Sequence, residues 1–134
     1  MENKGPVIGY WKIRGLGEVA KLIMEYGNQP YQMQHYKQGP GPEFSKKEWL
    51  DKKYELGFDF PNLPYLIDGD IKMTESLNIY IYLVKKYVPE LLGKNEAEKL
   101  KVIEAMCALK EIKDWINFPC YFHDKAQALD AVKN

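Results

Sequence analysis

Strand-like and helix-like spacings of apolar residues follow one another along the N-terminal part of the chain. Val7–Tyr10 is a short apolar run typical of a strand, and apolar residues recur at helical spacing over Val19–Tyr26. Aromatic and polar residues partly alternate over Tyr31–Tyr36, which predicts a half-buried strand. The Gly-Pro-Gly-Pro run at 39–42 predicts a loop before a helical segment at 43–54. The predicted order in this half is β-α-β-α.

A hairpin and a third helix complete the predicted domain. The apolar runs Leu63–Ile67 and Ile71–Met73 flank Asp-Gly-Asp at 68–70, a tight-turn signal that needs a positive φ at glycine. Ser76 is predicted to cap a helix that ends near Pro89. The order β-α-β-α-β-β-α predicts an α/β fold of the thioredoxin-like arrangement, with a mixed four-stranded sheet and helices on its faces.

The pattern changes near residue 95. Apolar residues then recur at helical spacing for roughly twenty residues, and Pro119 is expected to end or kink that helix. Residues 125–134 are predicted to begin another helix. One long helix and a short segment cannot enclose a core of their own. We therefore predict a thioredoxin-like domain over 5–88 and an incomplete all-helical domain over 94–134.

The composition argues against several classes of partner. The 134 residues include 19 basic and 19 acidic side chains, so no broad electrostatic field would attract nucleic acid or an anionic membrane. No apolar run approaches the length of about 18 residues that marks a membrane span. The N-terminus lacks the pattern of a secretory signal, so a cytoplasmic location is expected.

The cysteines and histidines predict no metal site. Cys107 and Cys120 match neither a CxxC redox pair nor a zinc-ligand spacing, and we expect two reduced, mostly buried thiols. His35 and His123 have no companion ligands or nucleophile nearby in the sequence.

Three segments carry the candidate chemistry. Tyr10 stands at a strand end before a glycine-flanked turn, a layout that predicts an exposed hydroxyl. Such a hydroxyl can donate a hydrogen bond to an anion, and a thiolate is the anion whose chemistry gains most from it. Residues 58–65 supply a proline-bracketed backbone edge, and residues 74–76 open a helix. The three segments predict a pocket for a small anionic peptide, with simple packing at a strand end as the alternative for Tyr10.

With these pieces in place, the sequence resembles the cytosolic glutathione transferases, and specifically their mu class. The segments that carry the resemblance are GYWKIRGL at Gly9–Leu16 and LGFDFPNLPYLIDG at Leu56–Gly69. The resemblance runs from about Val7 through Lys86, includes the extra loop at 39–44 typical of the class, and continues more weakly to about Asp124. Because the family carries further helices, the resemblance implies a chain truncated in its C-terminal helical domain.

The resemblance implies roles for the three segments. Tyr10 matches the catalytic tyrosine, whose hydroxyl hydrogen-bonds the glutathione sulfur. Leu63 precedes the family's cis-proline, and its N–H and C=O are expected to pair with the cysteinyl main chain, supported by Asn62. Ser76 is expected to hold the γ-glutamyl carboxylate at a helix N-terminus, next to Glu75, where the mu class has glutamine. A plain turn proline and a bare helix cap are the alternatives.

The other implied glutathione contacts are Trp11, Leu16, Trp49 and Lys53. Trp49 and Lys53 are four residues apart, so an indole N–H and a cation could both reach the glycine carboxylate of the ligand. A lysine in a Lys-Lys pair is otherwise a solvated side chain.

Three further residues are implied by weaker parts of the resemblance. Glu111 falls where the family has an acidic residue that reaches across the dimer to the partner subunit's glutathione. Tyr121 falls on a tyrosine that assists the electrophilic substrate, and Phe60 on an aromatic residue that inserts into the partner subunit. The alternatives are a solvated helix face for Glu111 and a core position for Tyr121 and Phe60.

The resemblance implies a dimeric glutathione transferase that joins the glutathione thiol to a hydrophobic electrophile, with glutathione as co-substrate and no cofactor. The alternative is a weakly active or inactive glutathione-binding or interaction module, which the short C-terminal region and Glu75 favour, since a carboxylate would repel the ligand's carboxylate. A thioredoxin-type redox protein is a third reading, but the turn after Tyr10 lacks the cysteine nucleophile.

Overall fold

The computed structural model describes the backbone of residues 4–122 and the side chains of residues 4–118. A 3₁₀ turn lies at Pro89–Leu92, and the predicted order of elements is confirmed. The elements in chain order are β1 (Val7–Trp11), α1 (Gly17–Tyr26), β2 (Gln32–Tyr36), α2 (Lys47–Leu50), β3 (Tyr65–Asp68), β4 (Ile71–Thr74), α3 (Ser76–Tyr87) and α4 (Glu96–Phe122).

The four strands form one mixed sheet in the order β2-β1-β3-β4. β1 runs parallel to β2 and antiparallel to β3, and β3 pairs with β4 through the hairpin at Gly69, whose φ is 61°. In the register between β1 and β3, Ile8 faces Leu66 and Gly9 faces Tyr65. The predicted thioredoxin-like sheet is therefore confirmed.

One face of the sheet carries aliphatic side chains, as the two-residue period of a strand requires. Ile8 of β1 and Leu66 of β3 are fully buried. We call this aliphatic set the helix side, because its other members come from α1 and α3. Those members are Ala20, Met24, Ile79 and Leu83.

The other face carries the aromatic cluster, which we define as Tyr36, Trp49, Phe58 and Tyr65. The hydroxyls of Tyr36 and Tyr65 are 2.9 Å apart and hydrogen-bonded, and the Trp49 ring lies 5.2 Å from the Tyr36 ring between centroids. Gly9 makes room for the cluster, because a Cβ there would lie 2.1 Å from the Tyr65 ring.

α2 is shorter than the helical segment predicted over 43–54. Phe44 has a φ of 44°, in the left-handed region, so a right-handed helix cannot include it. Beyond Leu50 the four-residue spacing of an α-helix is not kept, because the N–H groups of Lys52 and Glu55 reach only three residues back while that of Lys53 reaches four. The segment therefore continues as turns.

The chain divides into two compact units, one ending at Leu91 and the other beginning at Leu92. In the second unit the side chain of Asn95 accepts the Glu98 N–H at 3.0 Å and so caps the start of α4. α4 continues to Phe122, so the expectation that Pro119 ends it is wrong. A proline removes one intrahelical hydrogen bond but leaves those of the neighbouring residues, which carry the helix past it.

The thiol of Cys107 lies on an exposed part of α4, which corrects the expectation that it is buried. Several large apolar side chains of α4 are exposed as well, namely Leu100, Leu109, Ile112, Trp115, Ile116 and Phe118. The side chain of Cys120 and the helix predicted at 125–134 lie outside the described residues.

Candidate functional site

Tyr10 is the last residue but one of β1 and is buried, with 7% of its surface exposed. The expectation of an exposed Tyr10 is therefore wrong, because the turn after β1 folds back over its ring. A Cβ on Gly15 would lie 2.6 Å from the Tyr10 hydroxyl oxygen, and one on Gly17 would lie 2.7 Å from its ring. The two glycines let the backbone of the turn pack directly on the phenol.

The Tyr10 hydroxyl is oriented by the backbone of that turn. Its oxygen accepts a hydrogen bond from the Leu16 N–H at 3.1 Å. A phenol oxygen can accept one hydrogen bond and donate its own proton in another. The geometry suits a donor that is held in place by a backbone amide.

The Leu63–Pro64 peptide bond is cis, as the resemblance implies. Leu63 is buried beside Tyr10, and its N–H donates to the Asn62 side-chain oxygen at 2.9 Å. The backbone donor expected to meet a peptide ligand is therefore paired within the chain by its own neighbour. Asn62 itself is exposed.

Ser76 is the first residue of α3 and is buried, while the cap position belongs to the exposed Glu75. This corrects the prediction that Ser76 is the cap. Glu75 has a φ of 68°, which turns the chain sharply into the helix, and its side chain makes no capping hydrogen bond. The first N–H groups of α3 thus keep the partial positive charge of a helix start.

Trp49 lies in the aromatic cluster and is 4% exposed. Among residues 4–118 its indole N–H has no hydrogen-bond acceptor. Lys53 is half-buried, with its ammonium 5.4 Å from the Tyr54 ring centroid. Both side chains keep polar groups that a ligand can contact.

The aromatic cluster is part of a larger packed cluster, which contains five of the predicted contacts. Tyr10, Trp49 and Leu63 are buried in it, and two half-buried residues pack against them. Those two are Trp11 and Leu16. Asn62 joins this cluster through its hydrogen bond to Leu63. The structure therefore assembles segments that lie more than fifty residues apart in the sequence.

Lys53, Glu75 and Ser76 are not members of this cluster, and three further predicted residues lie elsewhere. Phe60 is 78% exposed beside a groove of about 350 Å³, and its carbonyl accepts the Thr74 hydroxyl at 2.8 Å. Glu111 is exposed on α4, in the second unit. Tyr121 falls on the last turn of α4, and its side chain lies outside the described residues.

Tyr80 is a residue that the sequence interpretation missed. It is buried on α3, and its hydroxyl donates to the Leu16 carbonyl at 2.6 Å. Burial, with a smaller contribution from Tyr10 and against the opposing hydrogen bond of Ser76, raises the pKa of Tyr80 to about 12. The signal was the four-residue spacing from Ser76, which puts two hydroxyls on one helix face.

No group of three His, Cys, Asp or Glu side chains within the described part of the chain could hold a metal ion. Within the same part of the chain, no helix is both long and apolar enough to cross a membrane.

The chain matches the family model "Glutathione S-transferase, N-terminal domain" over residues 6–85. The chain belongs to the glutathione S-transferase family. Its curated relatives include glutathione S-transferase 2 of Gallus gallus, 48% identical over 71% of this chain and 42% of that protein. Glutathione S-transferase Mu 4 of Rattus norvegicus is 38% identical over 93% of this chain and 58% of that protein.

The fold comparison agrees with this membership. The crystal structure of the glutathione S-transferase Blo t 8 superposes with a TM-score of 0.79 at 30% identity, over 95% of this chain and 56% of that one. This member of the family thus spans about half the length of the relatives named here.

Proposed function

We propose that this glutathione S-transferase family member binds glutathione and stabilises its thiol as the thiolate through Tyr10, for attack on an electrophilic small molecule. The observation that carries the proposal is the Leu16 N–H bonded to the Tyr10 oxygen at 3.1 Å. That bond orients the phenol oxygen beside Leu63, and in the proposed complex the phenol donates its proton to the thiolate sulfur.

The energy required is within reach of such a donor. Lowering a thiol pKa from about 8.5 by two units takes roughly 2.7 kcal/mol. A hydrogen bond to a charged group contributes about 1.5 to 3 kcal/mol. One oriented phenol can therefore supply most of the thiolate preference.

In the proposed binding mode, glutathione lies along the larger packed cluster, with one end at α3 and the other at α2. The γ-glutamyl carboxylate lies at the start of α3 near Ser76, where the helix dipole favours an anion. The cysteinyl main chain pairs with Leu63 once Asn62 releases its N–H. The glycine carboxylate meets the Trp49 N–H and the Lys53 ammonium.

In the chemical step the thiolate sulfur attacks an electrophilic carbon of the second substrate, by substitution or by addition. With a nitroaryl halide the thiolate sulfur forms a bond to the ring carbon, and the carbon–halogen bond breaks to release halide. The protein positions the thiolate and the ring, which converts an encounter into an oriented reaction. Tyr121 stays a prediction for the residue that assists the electrophile.

A second candidate is a glutathione-binding or interaction module with little conjugating activity. One observation favours it: Glu75 puts a carboxylate at the start of α3, where it would repel a carboxylate of the ligand. In either function, the exposed Phe60 and Glu111 are proposed to face a second subunit, and a cytoplasmic location is proposed.

The deciding experiment measures initial-rate conjugation of glutathione to an activated nitroaryl halide by the purified chain. We expect Tyr10→Phe to lower kcat/KM by at least about tenfold, because the ring remains and only the thiolate's donor is lost. Tyr26→Phe is the matched control, since Tyr26 is exposed on α1. Glutathione binding without conjugation by the folded wild-type chain supports the module instead, and an unchanged Tyr10→Phe rate refutes the role of Tyr10.

A further inference from the structure

Tyr80 is a polar side chain buried next to aliphatic residues of α3. Its neighbours on α3, Ile79 and Leu83, are fully buried, and Tyr80 itself is 6% exposed. Burying a phenolic hydroxyl costs free energy unless it finds a partner, and an aliphatic residue would fill such a place without that cost. The hydroxyl does find a partner, the Leu16 carbonyl at 2.6 Å.

That carbonyl belongs to the residue whose N–H contacts the Tyr10 oxygen. Leu16 occupies the cap position of α1, so its carbonyl also begins the hydrogen bonds of that helix. A carbonyl oxygen has two lone pairs and can accept both. Leu16 is thereby held from α3 on one side while it holds Tyr10 on the other.

We infer that Tyr80 is a positioning residue for the thiolate site, acting on Tyr10 through Leu16. This rests on the proposed function of Tyr10. Without the Tyr80 hydroxyl the turn between β1 and α1 loses this hydrogen bond to α3, and the Leu16 N–H fixes the direction of the phenol less firmly. Tyr80 does not contact the proposed ligand in this account.

Ser76 stands four residues before Tyr80 on α3, and its hydroxyl opposes the rise in the pKa of Tyr80. Ser76 lies at the end of the site where the γ-glutamyl carboxylate is proposed to bind. The hydrogen bonds from Tyr80 to Leu16 and from Leu16 to Tyr10 thus connect the helix that carries Ser76 with the thiol end of the proposed site. A change at Tyr80 is expected to affect the thiol end more than the affinity for glutathione.

The test follows the ultraviolet absorbance of the bound thiolate as pH is varied, with glutathione added to each purified variant. We expect Tyr80→Phe to raise the pKa of bound glutathione's thiol by about 0.5 to 1 unit, the equivalent of one ordinary hydrogen bond. The dissociation constant of glutathione, measured by calorimetry, should change by less than about threefold. Tyr82→Phe is the matched control, because it removes a hydroxyl from the same helix that bonds Asp68 instead.

A double-mutant cycle separates positioning from general packing. In a Tyr10→Phe background, Tyr80→Phe should cause no further shift in the thiol pKa, since its effect passes through Tyr10. Equal shifts in both backgrounds, or a shift in Tyr82→Phe as large as that in Tyr80→Phe, would overturn the inference.

The outcomes also distinguish the two proposals. A thiol pKa that moves with Tyr10→Phe but not with Tyr80→Phe refutes only the role of Tyr80, and one that moves with neither refutes both. If Tyr80→Phe is too unstable to study, Tyr80→Met fills the same space without a hydroxyl and takes its place, with the same shift expected.

Discussion

The two faces of the sheet are built from different chemistry although they alternate along the same strands. On the helix side, Ile8 and Leu66 are fully buried aliphatic residues without polar atoms in their side chains. On the other face, Tyr36 and Tyr65 bury rings that carry hydrogen-bonded hydroxyls. The helix side contributes apolar burial, whereas the aromatic cluster contributes burial together with fixed polar groups.

The difference teaches where stability and chemistry lie in this molecule. Aliphatic packing is non-directional and scales with the area removed from water. Hydroxyls and an indole N–H have directions, and they give a site the donors it needs. Of the candidate contacts, Trp49 accordingly belongs to the aromatic cluster and Leu63 packs with it.

The largest expected effect is on the helix side. Leu66→Ala removes a fully buried side chain and leaves a cavity, so we expect the free energy of unfolding to fall by about 2 to 5 kcal/mol. Denaturant unfolding followed by circular dichroism measures it. Leu22→Ala is the control, because Leu22 is exposed on α1, and a loss no larger than that of the control would contradict the division between the faces.

A smaller and pH-dependent effect is expected at Asp68, at the edge of the helix side. Burial opposes the charged form, but the hydrogen bonds of Lys86, Tyr82 and Tyr87 together outweigh it and lower the pKa of Asp68. A lowered pKa stabilises the folded state above the unfolded value, about 3.9, and this stability is lost as pH falls through the folded value.

Asp68→Asn should therefore lower the free energy of unfolding by about 1 to 3 kcal/mol at pH 7, and its difference from wild type should shrink in acid. Unfolding curves between neutral pH and the acid range check this. Asp70→Asn, two residues away in the exposed turn, serves as the comparison. Parallel curves at every pH would show that the Asp68 carboxylate has no such role.

The smallest effect is expected in the aromatic cluster. Tyr36→Phe keeps the ring but leaves the Tyr65 hydroxyl without its partner, at a cost of about 1 kcal/mol. Burial first, and then the Tyr36 hydroxyl, raise the pKa of Tyr65, so the native state keeps this proton when the unfolded chain begins to lose it above about pH 10.

The aromatic face is accordingly expected to lose stability in alkali and the helix side in acid. Unfolding of wild type and Tyr36→Phe at neutral and alkaline pH checks this, with Tyr54→Phe as the control because Tyr54 is exposed. A Tyr36→Phe loss equal to that of Leu66→Ala would remove the contrast between the faces.

The periodic and turn-based features of this fold could be predicted from the sequence. The apolar runs of β1 and β3 and the glycine of the Asp-Gly-Asp turn depend on local spacing and local φ values, which a single sequence displays. The two candidate segments around Tyr10 and Leu63 were found for the same reason. Their union in one cluster follows from the pairing of β1 with β3.

The features that the sequence concealed depend on three-dimensional neighbours. Tyr10 is buried because Gly15 and Gly17 admit the backbone of a turn, a contact that spacing alone does not reveal. Ser76 is the first residue of α3 and not its cap, because Glu75 takes the cap position with a positive φ, which is uncommon outside glycine. Tyr80 looked like core because its partner is a backbone carbonyl sixty-four residues away.

The pairing of Asn62 with the Leu63 N–H has a thermodynamic consequence for any peptide that docks on this edge. Such a ligand exchanges one amide acceptor for another, since the donor gives up a bond to Asn62 before it gains one. An exchange of equivalent bonds contributes little net affinity. Discrimination between ligands therefore depends on their charged ends. The central contact sets the position of the ligand along the edge and adds little to its affinity.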